Sequence, residues 1–285
     1  MPLWITLITI SVITFSVATL LQRVLLKDDQ SDPITYSLAF QLVYTTSTII
    51  IALLTHNLKF YIPNLLTLIA VLSSGFLWAG FSNLSFKAFK FADAGSVAII
   101  SSLGSVITAV LAILIYHNVL TLKLAIGTIL ILLAIFILNH SKHTKVTKKG
   151  MFYAFLATLF SGVAVIADVY ALKSYSIFTY FPMSASITAL VISIIFHKKI
   201  KPAIKLMHSR TFIKMLVFAF FFIIQAYTYY FAYIAGGPIS HVAIISRFYI
   251  VLTAILAIVF LGERENMKKK IVASILATIG VILLG

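Results

Sequence analysis

The chain has 285 residues, 61% hydrophobic and 10% charged, with a mean hydropathy of +1.10. Soluble domains are about 45–50% apolar and about 25% charged, so a globular domain is excluded, and the long apolar runs exclude a porin-like barrel. The formal charge of +15 does not indicate nucleic acid, because the bases sit in short connectors between apolar runs; the absence of cysteine removes disulfides, thiolate metal sites and thiol catalysis.

A helix needs about 20 mostly apolar residues to span a bilayer, and ten stretches qualify. In chain order they are 3–22, 34–54, 64–86, 94–116, 121–139, 150–172, 177–196, 212–234, 238–260 and 267–284. The first has no basic stretch before it and is too long for a signal-peptide core, so it reads as a span. Short polar connectors separate the stretches, the most basic being His197 to Arg210. Its lysines alternate with Ile200, Ile204, Leu206 and Met207, a pattern suited to setting topology and touching anionic lipid.

One sentence of sequence occurs twice. Val97 to Ile113 reads VAIISSLGSVITAVLAI and Val242 to Ile258 reads VAIISRFYIVLTAILAI, identical at eleven of seventeen positions at an offset of 145. Duplication of this kind is common in secondary transporters. The fold expected is therefore all-α, a polytopic membrane protein of ten transmembrane helices in two inverted five-helix repeats, 1–145 and 146–285. Five spans per repeat is an odd number, so the second half enters the membrane in the opposite sense. Eighteen Lys and Arg fall on the side of connectors 1–2, 3–4, 5–6, 7–8 and 9–10, against three on the other side. The positive-inside rule then places both termini outside.

The second repeat closes on Phe260-Leu261-Gly262-Glu263, a polar turn and a last apolar span. On a ten-span chain of two similar halves, this ending resembles the EamA family of the drug/metabolite transporter superfamily. The resemblance implies a secondary transporter, often an exporter, with a central cavity lined by spans 1, 3, 4, 6, 8 and 9. Family substrates include amino acids, other small metabolites and drugs. Three features depart from the family pattern. His117-Asn118 stands where the first repeat would carry Gly-Glu, and Ser105 and Ile250 stand where a proline often opens spans 4 and 9. The family is also usually drawn with both termini in the cytoplasm, against the loop charges.

Ionisable groups inside spans are costly and mark function, so they supply the candidate substrate-binding residues. Arg247 replaces Ser102 of the first repeat near the middle of span 9, and Asp168 lies about a turn from the end of span 6. By helix rise they lie about 13 Å and about 6 Å deep on the same side. Either they form a buried ion pair, or Arg247 faces the cavity and grips a substrate carboxylate or phosphate. His241 reads as a proton switch or as an interfacial polar residue. Trp78 leads a partly polar face of span 3, and Asn83 is placed to bond substrate or a neighbouring helix. Gln225 and Tyr229 are four apart in span 8, whereas Gln41 and Tyr44 sit in span 2, which is less expected at the cavity.

The expected function is alternating-access transport of a small polar or amphipathic metabolite, such as an amino acid, or of a drug. Protons or another ion would drive it, with Asp168 or His241 as the titratable group, in the plasma membrane as a monomer or homodimer. The partners expected are a small-molecule substrate and the lipid bilayer, with no nucleic acid. A lipid-linked substrate flippase or a non-transporting scaffold subunit is the alternative on the same fold. No cofactor, metal or catalytic set is expected, because no HExxH, paired aspartates or cysteine falls inside any span.

Overall fold

The computed structural model describes residues 2–27, 30–56, 61, 64–104, 106–107, 110–111, 122–139, 147–237, 242, 245–246, 248–263 and 266–284. Among the described residues all regular structure is helical. The helices are α1 (Leu3–Leu26), α2 (Pro33–Leu54), α3 (Leu65–Phe91), α4 (Ala94–Ser101), α5 (Leu122–Asn139), α6 (Lys148–Ala171), α7 (Ile177–Ile195), α8 (Ile200–Met207), α9 (Thr211–Ile234), α10 (Tyr249–Phe260) and α11 (Met267–Leu284). Each of the ten expected spans overlaps one of them, and α8 lies in a connector. Six (α1, α2, α3, α6, α7 and α9) are long and apolar enough to cross a membrane.

The helices start where the sequence supplies a capping side chain. Asp32, Asn64, Asp93, Thr147 and Ser176 each accept a bond from a backbone N–H in the first turn of α2, α3, α4, α6 and α7. These N–H groups have no partner within the helix, so a side-chain oxygen there fixes the entry point. The ends differ from the hydropathy reading. Helix α1 continues to Leu26 and α3 to Phe91, so Arg23, Lys87 and Lys90 lie on helices rather than in connectors. A hydropathy window stops at the first charge, but a long basic side chain on a last turn extends towards water or a partner without breaking the helix.

The connector expected as a polar loop after α7 is also folded. It holds a short 3₁₀ turn at His197–Lys199 and then α8, whose Ala203 is buried against the body while Lys201, Ile204 and Lys205 are exposed. The alternation of lysine with apolar residues gives this helix its two faces. Lys199 ties it to the cap of α2 through a 2.9 Å ion pair with Asp32.

The repeat is visible in the helix bounds. Helices α1 and α6 have equal length at an offset of 145, and so have α5 and α11. Packing follows the same relation. Helix α3 packs along α6 and α1 along α9, while α2 meets α7, α4 meets α10 and α5 meets α11. Exchanging α1 with α6, α2 with α7, α3 with α9, α4 with α10 and α5 with α11 returns the same pairings. That is the contact pattern of two like halves about a pseudo-two-fold axis. Their outer faces carry exposed apolar side chains such as Leu54, Ile194 and Phe260, as a lipid-facing surface requires.

Small residues let the symmetric pairs approach. Ala273 and Ala277 of α11, and Ala254 and Ala257 of α10, are buried as helix-packing positions. A Cβ on Gly280 would lie 2.7 Å from the carbonyl oxygen of Gly127 and 2.8 Å from Cγ1 of Ile131. Backbone cannot yield as a side-chain tip can. Gly280→Ala is therefore expected to cost about 1–3 kcal/mol, read as a lower unfolding temperature in detergent. An unchanged transition would show that α5 and α11 do not pack this closely.

Candidate functional site

A cavity of about 380 Å³ lies between the halves. Its walls come from α1, α3, α4, α6, α9 and α10, and also from α2 and α7, while α5 and α11 contribute none of its described residues. Gln41 and Tyr44 of α2 are therefore cavity residues, against the expectation that span 2 would face away. The cavity runs from Gln22 and Phe89 near one end of the bundle to Asp168 and Tyr180 near the other. Fourteen of the thirty-eight described lining residues are aromatic, so the space favours flat or cationic groups over purely polar ones.

Asp168 is three residues from the end of α6 and only 3% exposed. Its carboxylate is held entirely by neutral donors. Ser74 Oγ donates to Oδ1 at 2.6 Å, the Tyr180 hydroxyl donates to the same oxygen, and Trp78 Nε1 lies 3.1 Å from Oδ1 and 3.0 Å from Oδ2. Ser74 also lies 2.7 Å from the Tyr180 hydroxyl and 3.2 Å from Ser184 Oγ. Three helices, α3, α6 and α7, thus converge on one acid. Hydrogen bonds to a carboxylate offset part of the cost of burying it and fix its orientation. Among the described residues Asp168 forms no ion pair.

A second polar cluster closes the opposite end, next to Gln22 and Phe89. Arg23 of α1 donates to the Phe89 and Lys90 carbonyls at 2.6 and 3.2 Å, and its Nε lies 3.5 Å from Glu263 Oε1. Glu263 in turn accepts the Ala94 N–H at the start of α4, at 3.1 Å. Lys270 of α11 pairs with Asp93 at 3.2 Å and donates to the Glu263 carbonyl at 3.2 Å. Two acids and two bases thereby join the α1, α3–α4 and α10–α11 ends. Gly262 enters this turn at φ +65°, a conformation that suits glycine. The Leu-Gly-Glu ending thus has a structural account.

Burial pushes the Glu263 carboxyl above the usual glutamate range, and the Asp93 charge adds to that, while Lys270, Arg23 and the Ala94 N–H pull it partly back. An acid with a raised folded pKa holds its proton longer in the folded state than unfolded. Its contribution to stability is fully present below the unfolded value and is lost as pH rises through the folded one. The stability of the wild type relative to Glu263→Gln should therefore fall as pH rises past the ordinary glutamate range, then level off. Parallel unfolding curves of the two proteins across that range would contradict this.

The structure brings four of the seven sequence candidates to the cavity: Asp168, Trp78, Gln225 and Tyr229. Trp78 and Asp168, considered separately from sequence, are hydrogen-bonded to each other. Tyr229 bonds Tyr233 hydroxyl to hydroxyl at 2.9 Å. Asn83 is buried but is not a lining residue; its Nδ2 donates to the Ala79 carbonyl one turn back. Arg247 and His241, and with Arg247 the Asp168 ion pair, lie outside the described residues. The sequence alone does not mark Ser74, Tyr180, Arg23 or Lys270 as site residues. Ser74 extends the stripe of Trp78 and Ser82 back by one turn, a signal at helical spacing; Tyr180 on α7 gave none.

These observations define a class: a polytopic helical membrane protein of two like halves around a cavity with a buried carboxylate. The family model described as "EamA-like transporter family" matches the chain twice, over residues 2–140 and 148–285. The chain belongs to this family. A solved structure titled only "Crystal structure of protein" is similar in fold, with a TM-score of 0.61 and 14% sequence identity over 99% of this chain and 94% of that one. No curated protein matches the sequence.

Proposed function

We propose that this protein is a secondary transporter, an exporter or exchanger, that moves a small polar or amphipathic metabolite or drug by alternating access. The observation that carries the reading is the aromatic cavity with Asp168 at one end and the ionic cluster across the other. Two like halves enclosing a site at membrane depth suit a rocking motion that exposes it to either side in turn. In that motion the Arg23–Glu263 and Lys270–Asp93 pairs act as the seal at their end. Asp168 is the described titratable group in the cavity that proton coupling would use, with His241 as the other expected from sequence. The repeats divide at about residue 145, and the plasma membrane is the proposed site of action. The basic connector around α8 contacts anionic lipid there.

Counterflow into proteoliposomes tests this. Vesicles preloaded with an amino acid or cationic drug should accumulate the labelled compound only when they contain the protein, and a cross-link between α4 and α10 should stop it. Loss-free flux after cross-linking would rule out alternating access.

A further inference from the structure

The cavity has a sign. Among its described lining residues Asp168 is the one acid, and none carries a positive charge. The carboxylate is buried at membrane depth with three neutral donors, so its bonds are met while its charge is not balanced by any described group. A buried unbalanced charge is costly, and a ligand that supplies the opposite charge recovers that cost on binding.

The surrounding rings suit the same ligand. From Asp168 the wall continues through Tyr180 to Phe181, with ring centroids 6.2 Å apart, then to Tyr230 at 5.5 Å and Tyr229 at 5.3 Å. On α3, Trp78 meets Phe81 edge-on at 5.1 Å. Aromatic rings attract an organic cation through their quadrupole while excluding the water that would otherwise solvate it. A volume of about 380 Å³ accommodates a small organic molecule rather than a bare ion.

We propose that the substrate carries an ammonium group, a primary amine or an alkylated one, that docks at Asp168 with its apolar body along the aromatic wall. This rests on the transport reading and narrows it to organic amines and ammonium cations.

Binding can be read inside the protein. The chain has two tryptophans, Trp4 and Trp78, and the Trp78 indole is bonded to Asp168, so a Trp4→Phe protein reports on this site by emission alone. Benzyltrimethylammonium, its uncharged isostere neopentylbenzene and phenylmethanesulfonate are titrated into the purified full-length Trp4→Phe protein. The cation should shift Trp78 emission and bind on the order of tenfold more tightly than either other probe. Asp168→Asn should erase the preference and Asp168→Glu retain most of it, each with a cooperative unfolding transition as proof of folding. The proposal is overturned by tighter binding of the sulfonate, by no binding of the cation, or by an unchanged preference in Asp168→Asn. Proteoliposome flux separates the two readings. Saturable flux of the sulfonate alone sinks the ammonium assignment and keeps transport, whereas no saturable flux of any probe or amino acid sinks both.

Discussion

Lys270→Ala is expected to lower unfolding free energy in detergent by about 3–5 kcal/mol, the cost of leaving a buried charge without its partner. The Lys270 side chain is 3% exposed and bridges Asp93 and the Glu263 carbonyl, so its removal leaves the Asp93 carboxylate without its ion-pair partner and a backbone carbonyl without its donor. Asp93 cannot relax away from the gap, because it also caps α4 by accepting the Ser96 N–H and hydroxyl at 2.9 and 2.8 Å. Lys270→Arg keeps the charge and should recover part of the loss. Lys270→Met combined with Asp93→Asn should be milder than Lys270→Met alone, since Asn still caps and no carboxylate is left unpaired at that position. A single-mutant loss below about 1 kcal/mol, the range of an exposed pair, would show the cluster to be wet.

Asp168→Ala should reduce saturable uptake of benzyltrimethylammonium on the order of 100-fold, equivalent to about 3 kcal/mol, the scale of losing one partner of a buried charge pair. Stability should change far less than on removal of Lys270. Asp168 has no described counter-ion, so removing it costs hydrogen bonds to Ser74, Trp78 and Tyr180 but also removes the cost of burying the carboxyl group. Flux collapsing while the unfolding temperature holds identifies a substrate group. Flux and folding lost together would make Asp168 a strut between α3, α6 and α7.

What the sequence made legible follows from range. Apolar runs and the 145-residue repeat are carried by the chain itself, and the helices lie on the runs they mark. Asp168 was conspicuous because an acid within an apolar run is rare. Its partners were not, since Ser74 and Tyr180 lie 94 and 12 residues away and meet it only once three helices pack. Asn83 shows the opposite failure: a polar residue in a span need not face a cavity, because its amide can donate to the carbonyl one turn back. The basic residues of the connectors carry a topology signal, yet Arg23 and Lys270 also bond across the bundle. A charge count cannot tell a lysine that faces lipid headgroups from one that is buried.

The offset that lays α1 on α6 also lays Arg23 on Asp168. The three donors that hold Asp168, at 74, 78 and 180, have their counterparts at Ala219, Ile223 and Thr35, and the Thr35 hydroxyl is already committed to Asp32. If the halves trade places as the molecule rocks, Arg23 moves towards a setting that offers an alanine and an isoleucine where Asp168 enjoyed a serine and a tryptophan. The two poses are related by the pseudo-two-fold axis but have unequal contents. Under the proposed alternating access, the two poses of the empty protein would therefore differ in energy, and one side would be favoured at rest.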